Sequence, residues 1–542
     1  MQTFSGNLID ILNRRIFPGT VQIENGKIAG INETDELQST YLLPGFVDAH
    51  VHIESSMLTP AEFSRAAVRH GTVATVSDPH EIGNVIGVDG VRYMLESADG
   101  VPLKIFFGAP ACVPATRFET AGAAIDAQQV AELLDDDRII YLSEMMNYPG
   151  VLAGDAEVIA KIRAAAARGK PVDGHAPGVR GDDARRYFAA GISTDHECFT
   201  KEEALDKLQC GAKILIREGS AARNFEALYT LLDEYPDQCM LCSDDKHPDE
   251  LLEGHIDVLV KRAVDKGVAV MNVLRAACVN PVLHYGLDVG LLRVGDDADF
   301  IEVDNLRDWN VVQTVIRGDT IARDRVSSIT HTPQTAINQF AAATLKPDQL
   351  QCPVPAGAET INVIEALDGE LITKRRILPP KIVDGMAVAD TERDILKIAV
   401  ANRYRAATPA VAFITNFGFR SGAIASSVAH DSHNIVAVGT NDEDLCEAMN
   451  LVIQAQGGLS LAYGSEHHVL PLPVAGLMSD RPFEEVAEKY SELDRRAKEL
   501  GSSLRAPYMA LSFMALLVIP EIKLSDKGLF DSGRFEFLPL FN

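Results

Sequence analysis

The sequence predicts an α/β protein: a (β/α)8 TIM-like barrel inserted in a small β-sandwich domain, followed by a C-terminal α/β domain. Three observations carry that reading. Between residues 46 and 285, eight short apolar β-like runs alternate with helical stretches, which is the count and length of a closed barrel. Strand-like clusters flank this segment on both sides, each too small to fold alone. Residues 361–542 return to an α/β pattern after a stretch punctuated by prolines. A doubly wound open sheet is the alternative for the central segment, but it needs fewer strands.

Bulk properties bound the function. A chain of 542 residues is too long for one core. Its formal net charge of −27 repels nucleic-acid phosphates and anionic membrane surfaces, and no basic cluster overrides it. No apolar run reaches the roughly 18–20 residues of a membrane span. The first residues lack the charged and apolar regions of a signal peptide. The eight cysteines are scattered without framework spacing, as in a reducing cytoplasm. A cytoplasmic enzyme with no nucleic-acid or membrane partner is the expectation.

Taken in order, residues 1–45 give strands at Gly6–Asp10, Thr20–Glu24 and Lys27–Ile31, the last two joined by the hairpin signal Asn25-Gly26. Matching strands at Gly295–Val303 and Val311–Gly318 suggest one β-domain composed of residues 1–45 and 286–329. The barrel, 46–285, has its eight runs at Phe46–His52, Thr72–Asp78, Leu103–Ala109, Ile139–Met145, Pro171–His175, Ile192–His196, Ala212–Glu218 and Gln238–Asp244. Helical stretches such as Ala156–Arg168 and Glu202–Leu208 lie between them. Residues 330–360, with Pro333, Pro347, Pro353 and Pro355, read as a linker. In residues 361–542, strands are expected at Val411–Thr415 and Ile435–Val438, and helices at Asp442–Gln454 and Phe483–Leu500.

In a barrel the C-terminal strand ends surround one site, so what sits there decides the chemistry. The first strand ends in His50 and His52, which alternation places on one face about 6.6–7 Å apart along the strand. The second ends at Asp78-Pro79-His80-Glu81, the fourth near Glu144, the fifth at His175, the sixth at His196 and the eighth at Asp244. Each alone has an ordinary explanation as a loop, core or rim residue. Together, four histidines and two carboxylates on five strand ends are what two divalent ions need, with one carboxylate bridging.

The same pattern resembles the amidohydrolase superfamily, and within it the adenine deaminases along nearly the whole chain. The matching motifs are Pro44-Gly45-Phe46-Val47-Asp48-Ala49-His50-Val51-His52-Ile53-Glu54-Ser55-Ser56-Met57, Asp78-Pro79-His80-Glu81-Ile82, Glu144-Met145-Met146, Asp173-Gly174-His175, Ile216-Arg217-Glu218-Gly219-Ser220-Ala221-Ala222-Arg223-Asn224 and Cys242-Ser243-Asp244-Asp245. His430-Asp431-Ser432-His433-Asn434 and Leu470-Pro471-Leu472-Pro473-Val474-Ala475-Gly476-Leu477-Met478-Ser479 resemble that family's C-terminal domain. Glu144 stands where many superfamily relatives carry a carboxylated lysine, and adenine deaminases are similar to this chain there.

The resemblance implies hydrolysis of adenine to hypoxanthine and ammonia, with a divalent pair bringing the pKa of water to roughly 7 and so supplying the nucleophile. It assigns His50, His52 and Asp244 to one ion and His175 and His196 to the other, with Glu144 bridging. Asp244 is then the proton carrier. The nitrogen and oxygen donors, without thiolate, permit Mn2+, Fe2+ or Zn2+, and the family favours manganese. Asp78 and His80 are candidates for a proton shuttle or a further ligand, against a plain turn braced by Pro79. Glu218 and Ser220 are candidates for contacts to the purine edge, against an Arg217–Glu218 ion pair on the rim. Cys112 and His247 are expected in rim loops without a catalytic role. His430 and His433 are expected at the surface or as helix caps. The partner is a purine, and a homo-oligomer is expected.

Two other enzyme classes were weighed. Nucleic-acid-type zinc deaminases carry H-x-E followed by P-C-x-x-C. His52-Ile53-Glu54 and Cys239-Met240-Leu241-Cys242 imitate its halves, but Gln238 replaces the proline and the halves lie far apart. Another amidohydrolase reaction, cyclic-amide hydrolysis or deamination of a different base, shares the metal geometry and differs only in the pocket.

Overall fold

A computed structural model describes all 542 residues. Eight parallel strands form the central unit: β1 (Phe46–Val51), β2 (Thr72–Ser77), β3 (Lys104–Ala109), β4 (Ile139–Met145), β5 (Val172–Gly174), β6 (Thr194–Asp195), β7 (Lys213–Arg217) and β8 (Cys239–Cys242). Pairing runs continuously from β1 to β5 and from β6 to β8. The Ser193 amide bonds the Val172 carbonyl across the β5–β6 seam. A parallel bridge between Val51 and Asp244 closes β8 onto β1. These strands are buried on both faces, which is why they read as apolar runs and not as alternating ones. Cys239 and Cys242 are free, buried packing residues of β8.

The two segments that flank the barrel share one continuous sheet. Its strand order places Phe300–Val303 beside Tyr41–Pro44, with Gln2–Asp10, Arg15–Glu24 and Lys27–Glu33 beyond. The strands of the small β-domain form a single eight-membered order, interrupted by register shifts at Gln22/Ile23, Glu302/Val303 and Thr314/Val315. Bulges of this kind raise local twist and bend a sheet. Bent in this way, it brings Ile28 and Val315 into one small apolar core. Lys104 ties the barrel to this sheet through Asp297 (2.8 Å) and Asp299 (2.7 Å).

Beyond residue 330 the expected linker is partly folded. A short turn at Pro347–Leu350 and a strand at Cys352–Pro353 dock there, and Leu345 and Leu350 pack into the core beneath helix Asp442–Gln454. The C-terminal region contains an eight-stranded sheet, almost wholly antiparallel, with that helix against it. Its apolar core is continuous with that of the barrel. No helix of the protein is long and apolar enough to cross a membrane.

Candidate metal centre and active site

Five barrel strands deliver the donors at their C-terminal ends: His50 and Glu144 one residue before the ends of β1 and β4, and His52, His175, His196 and Asp244 one or two residues past β1, β5, β6 and β8. His50 and His52 leave β1 on the same face, with their Nε2 atoms 3.2 Å apart. The His52 ring is held by Nδ1–H donating to the Asp78 carbonyl at 3.1 Å, which turns Nε2 inward. Asp244 faces both, its Oδ1 lying 3.6 Å from His50 Nε2 and 3.3 Å from His52 Nε2. Glu144 sits across from this group. Its Oε2 is 2.8 Å from His175 Nδ1 and 3.0 Å from His196 Nε2, and its Oε1 is 3.6 Å from His52 Nε2. One carboxylate therefore stands between two sets of imidazoles, and all six residues are buried.

The chemistry of these donors fits a divalent pair. Burial opposes charge on every group, yet the imidazoles beside them and Arg217 hold the Asp244 and Glu144 carboxyls well below their ordinary range. Glu197 and Glu144 raise His175 to about 9 against its burial, while His196 is lowered, first by burial and then by His50. His50 Nδ1 and His175 Nε2 are buried without partners. Subsets such as His50, His196 and Asp244, or Glu144, His175 and His196, offer ligand atoms within 4.8 Å of one another. The centre thus draws positive charge toward four imidazoles and two carboxylates, with no thiolate among them.

An outer layer fixes these groups. Arg217 donates to Asp244 Oδ2 at 2.5 Å and makes a two-pronged pair with Glu197, whose second prong spans 2.9 Å. Asp195 accepts from the Ala176 and Glu197 amides at 3.0 and 2.9 Å, setting the loops that carry His175 and His196. Asp48, beneath His50, accepts from the Ser243 amide at 2.9 Å and contacts His255 Nε2 at 2.8 Å. Such partners orient ligands and set their basicity.

Asp78 and His80 join the site. His80 Nδ1 lies 3.1 Å from Asp78 Oδ2 and 3.5 Å from Glu144 Oε1, and Asp78 Oδ1 also accepts the His80 amide at 3.1 Å, so the segment is a braced turn that carries His80 to the site. Glu218 and Ser220 do not line the central cavity. Glu218 Oε1 binds Arg262 at 2.5 Å and Arg223 at 3.4 Å, and Ser220 Oγ donates to Glu250 at 3.0 Å. The reason is alternation. Arg217 points inward at the end of β7, so the next side chain leaves on the opposite face. The expected Arg217–Glu218 rim pair is replaced by the buried Arg217–Glu197–Asp244 group. His247 is buried against Tyr490, with Nδ1 2.6 Å from the phenol oxygen.

The C-terminal histidines are not surface residues. His430 Nδ1 and His433 Nε2 both bind the Glu81 carboxylate, which follows His80 at the end of β2. Burial opposes their charge; Glu81 and Asp245 nonetheless bring His430 up to about 9. His430, Asp431, Leu371, Phe513 and Leu516 join the barrel residues around one narrow cavity. The strand ends pointed to the barrel half of this wall; Glu81, Glu197 and Arg217 were legible there only as neighbours of the ligands. The C-terminal half comes from residues some 350 positions away from Glu81, a separation that no local pattern spans.

Comparison with known proteins agrees with this geometry. Residues 41–321 match the amidohydrolase family, and residues 370–536 match the adenine deaminase C-terminal domain. The chain is 56% identical over 541 residues to an adenine deaminase of Salinibacter ruber, covering 99% of both chains. It is 51% identical over 552 residues to one from Methanosarcina mazei, covering both in full. A relative of the same name from Methanothermobacter thermautotrophicus is 45% identical over 98% of each. With its six convergent donors, its amidohydrolase segment and a matching C-terminal domain, the chain belongs to the adenine deaminase family of amidohydrolases.

Proposed function

We propose that this chain hydrolyses adenine to hypoxanthine and ammonia, using a pair of divalent ions, with manganese the productive metal. The observation that carries this reading is the Glu144 carboxylate between two sets of imidazoles, on a chain that matches adenine deaminases from end to end. His50, His52 and Asp244 would hold one ion and His175 and His196 the other, with Glu144 shared. Bound there, the pair supplies Lewis acidity that ionises water near neutral pH and polarises the substrate.

The protein's own groups manage orientation and protons. A C6–O bond forms and the C6–N bond breaks, so one proton must leave the attacking water and another must reach the amine before it departs as ammonia. Asp244 is the carrier: Oδ1 faces the imidazole cluster, and Oδ2 is fixed by Arg217. Arg217 sets the direction of that carboxylate and keeps it ionised between transfers. Asp78 accepts the His80 amide and lies 3.1 Å from His80 Nδ1, leaving His80 Nε2 at the cavity, 3.6 Å from Glu81 Oε1 and 3.9 Å from Asp431 Oδ1. From that position His80 is placed to exchange a proton with the bound substrate. The largely buried walls exclude water from competing at those positions.

Ammonia release from purines, pyrimidines and cyclic amides, measured with manganese-loaded enzyme, tests the proposal. Adenine should be turned over at least about 100-fold better than any cyclic amide, the selectivity a hydrogen-bonding pocket can supply. Hydrolysis of a cyclic amide with no ammonia from adenine would replace this reading with the other amidohydrolase reaction.

A further inference from the structure

The cavity has two unlike halves. The barrel half is charged and carries the candidate metal donors, two of whose ring nitrogens, His50 Nδ1 and His175 Nε2, are themselves without partners. The outer half comes from the C-terminal region, and two polar atoms there lack partners: His430 Nε2 and Asp431 Oδ2. Both residues are only 2–3% exposed, and both line the cavity. Buried polar atoms are normally paired, so two neighbouring orphans facing one space call for a ligand. Their positions are held. Glu81 takes His430 Nδ1, and the Phe513 ring lies on the His430 imidazole at 4.5 Å with a 13° tilt. Leu371 and Leu516 complete an apolar flank beside them.

This inference rests on the proposed adenine reaction and adds who reads the base. With C6 over the imidazole and carboxylate cluster, the opposite edge of the purine faces the C-terminal wall. That edge carries an N–H at N9 and a lone pair at N3. We propose that Asp431 Oδ2 accepts the N9–H and His430 Nε2 donates to N3, so that the C-terminal domain restricts the enzyme to free bases. A charged His430, favoured by Glu81 and Asp245, has the Nε2–H that N3 requires. A base substituted at N9 has no proton to give Asp431, leaving a desolvated carboxylate oxygen unpaired. A nucleoside would also push its sugar into the wall formed by Leu371, His430, Asp431 and Phe513.

The test compares adenine with 9-methyladenine in the manganese-loaded wild type and in Asp431→Ala and Asp431→Asn, with metal content and thermal midpoint measured alongside. Wild type should prefer adenine at least about 100-fold in kcat/KM. Asp431→Ala should lose about 10- to 100-fold on adenine, chiefly through KM, and its preference should collapse to about tenfold or less at unchanged metal content. Asp431→Asn preserves size and should show an intermediate ratio, which keeps the test decisive should the alanine variant fold poorly. A purely structural Asp431 would lower both substrates equally and leave the ratio intact, which would overturn the inference while adenine turnover by wild type still stood. No adenine turnover by wild type would remove the function reading and this inference together.

Discussion

Asp244 has a backbone φ of +55°, a left-handed conformation that a non-glycine residue adopts at some cost. Its amide bonds the His50 carbonyl at 2.9 Å and its carbonyl receives the His52 amide at 3.4 Å, so the kink is pinned to the strand bearing the two histidines. Asp244→Asn keeps the shape and removes the proposed proton carrier. Its kcat on adenine should fall by about 10³-fold, read by steady-state ammonia release, with the fold intact by circular dichroism. Arg217→Met leaves Glu197 and Asp244 buried without their cation, which should cost about 3–5 kcal/mol in chemical denaturation. At this scale the sequence disclosed the donors, because a polar residue ending an apolar run is visible locally. It did not disclose their partners: a reader of Arg217 and Glu218 sees two adjacent opposite charges, and only the direction of the strand's last side chain separates them.

At the scale of elements, the strands nearest the site are the shortest, three residues in β5 and two in β6. Side-chain and loop contacts supplement so few ladder bonds. Tyr187 donates to the Met145 carbonyl at 2.8 Å and accepts the His175 amide at 3.0 Å, joining β4 to the loop after β5. Between β5 and β6, Gly174 has no room for a side chain, since a Cβ there would lie 2.3 Å from the Thr194 carbonyl oxygen. That atom is backbone, so relief requires the two strands to part. Gly174→Ala should therefore lower stability by about 1–3 kcal/mol and reduce bound metal, because His175 and His196 ride on the separated strands. Thermal melting together with metal analysis checks both effects. The eight strands were legible because a twice-buried parallel strand is nearly all apolar. The single curved sheet of the β-domain was not, since bulges change bending without changing the local hydrophobic pattern.

At the scale of the whole molecule, the outer wall of the cavity depends on a cation. Lys523 is fully buried and donates to the carbonyls of Leu371 at 2.6 Å and Phe513 at 2.9 Å, two wall residues. Burial lowers it to about 7 from an ordinary 10.5. The folded state then binds fewer protons than the unfolded one between those values, so this residue's contribution to stability rises with pH across that window. Its cost is largest below pH 7 and fades toward pH 10.5. Lys523→Met should accordingly improve relative to wild type as pH falls, by about 3 kcal/mol between pH 9.5 and 6.5, in paired denaturation curves. The convergence of Lys523, His430 and Glu81 on one wall is long-range and has no local sequence signature. That is why the histidine pair read as surface residues until the domains were seen together.

Adenine deamination as proposed requires that donors from five strand ends hold two divalent ions. The direct test measures metal content and adenine turnover on the same preparations of wild type and Glu144→Gln after manganese loading. The account predicts about two ions per wild-type chain, and in the variant fewer ions with turnover reduced by about 10³-fold or more. A Glu144→Gln enzyme that kept both its metal and its turnover would contradict it.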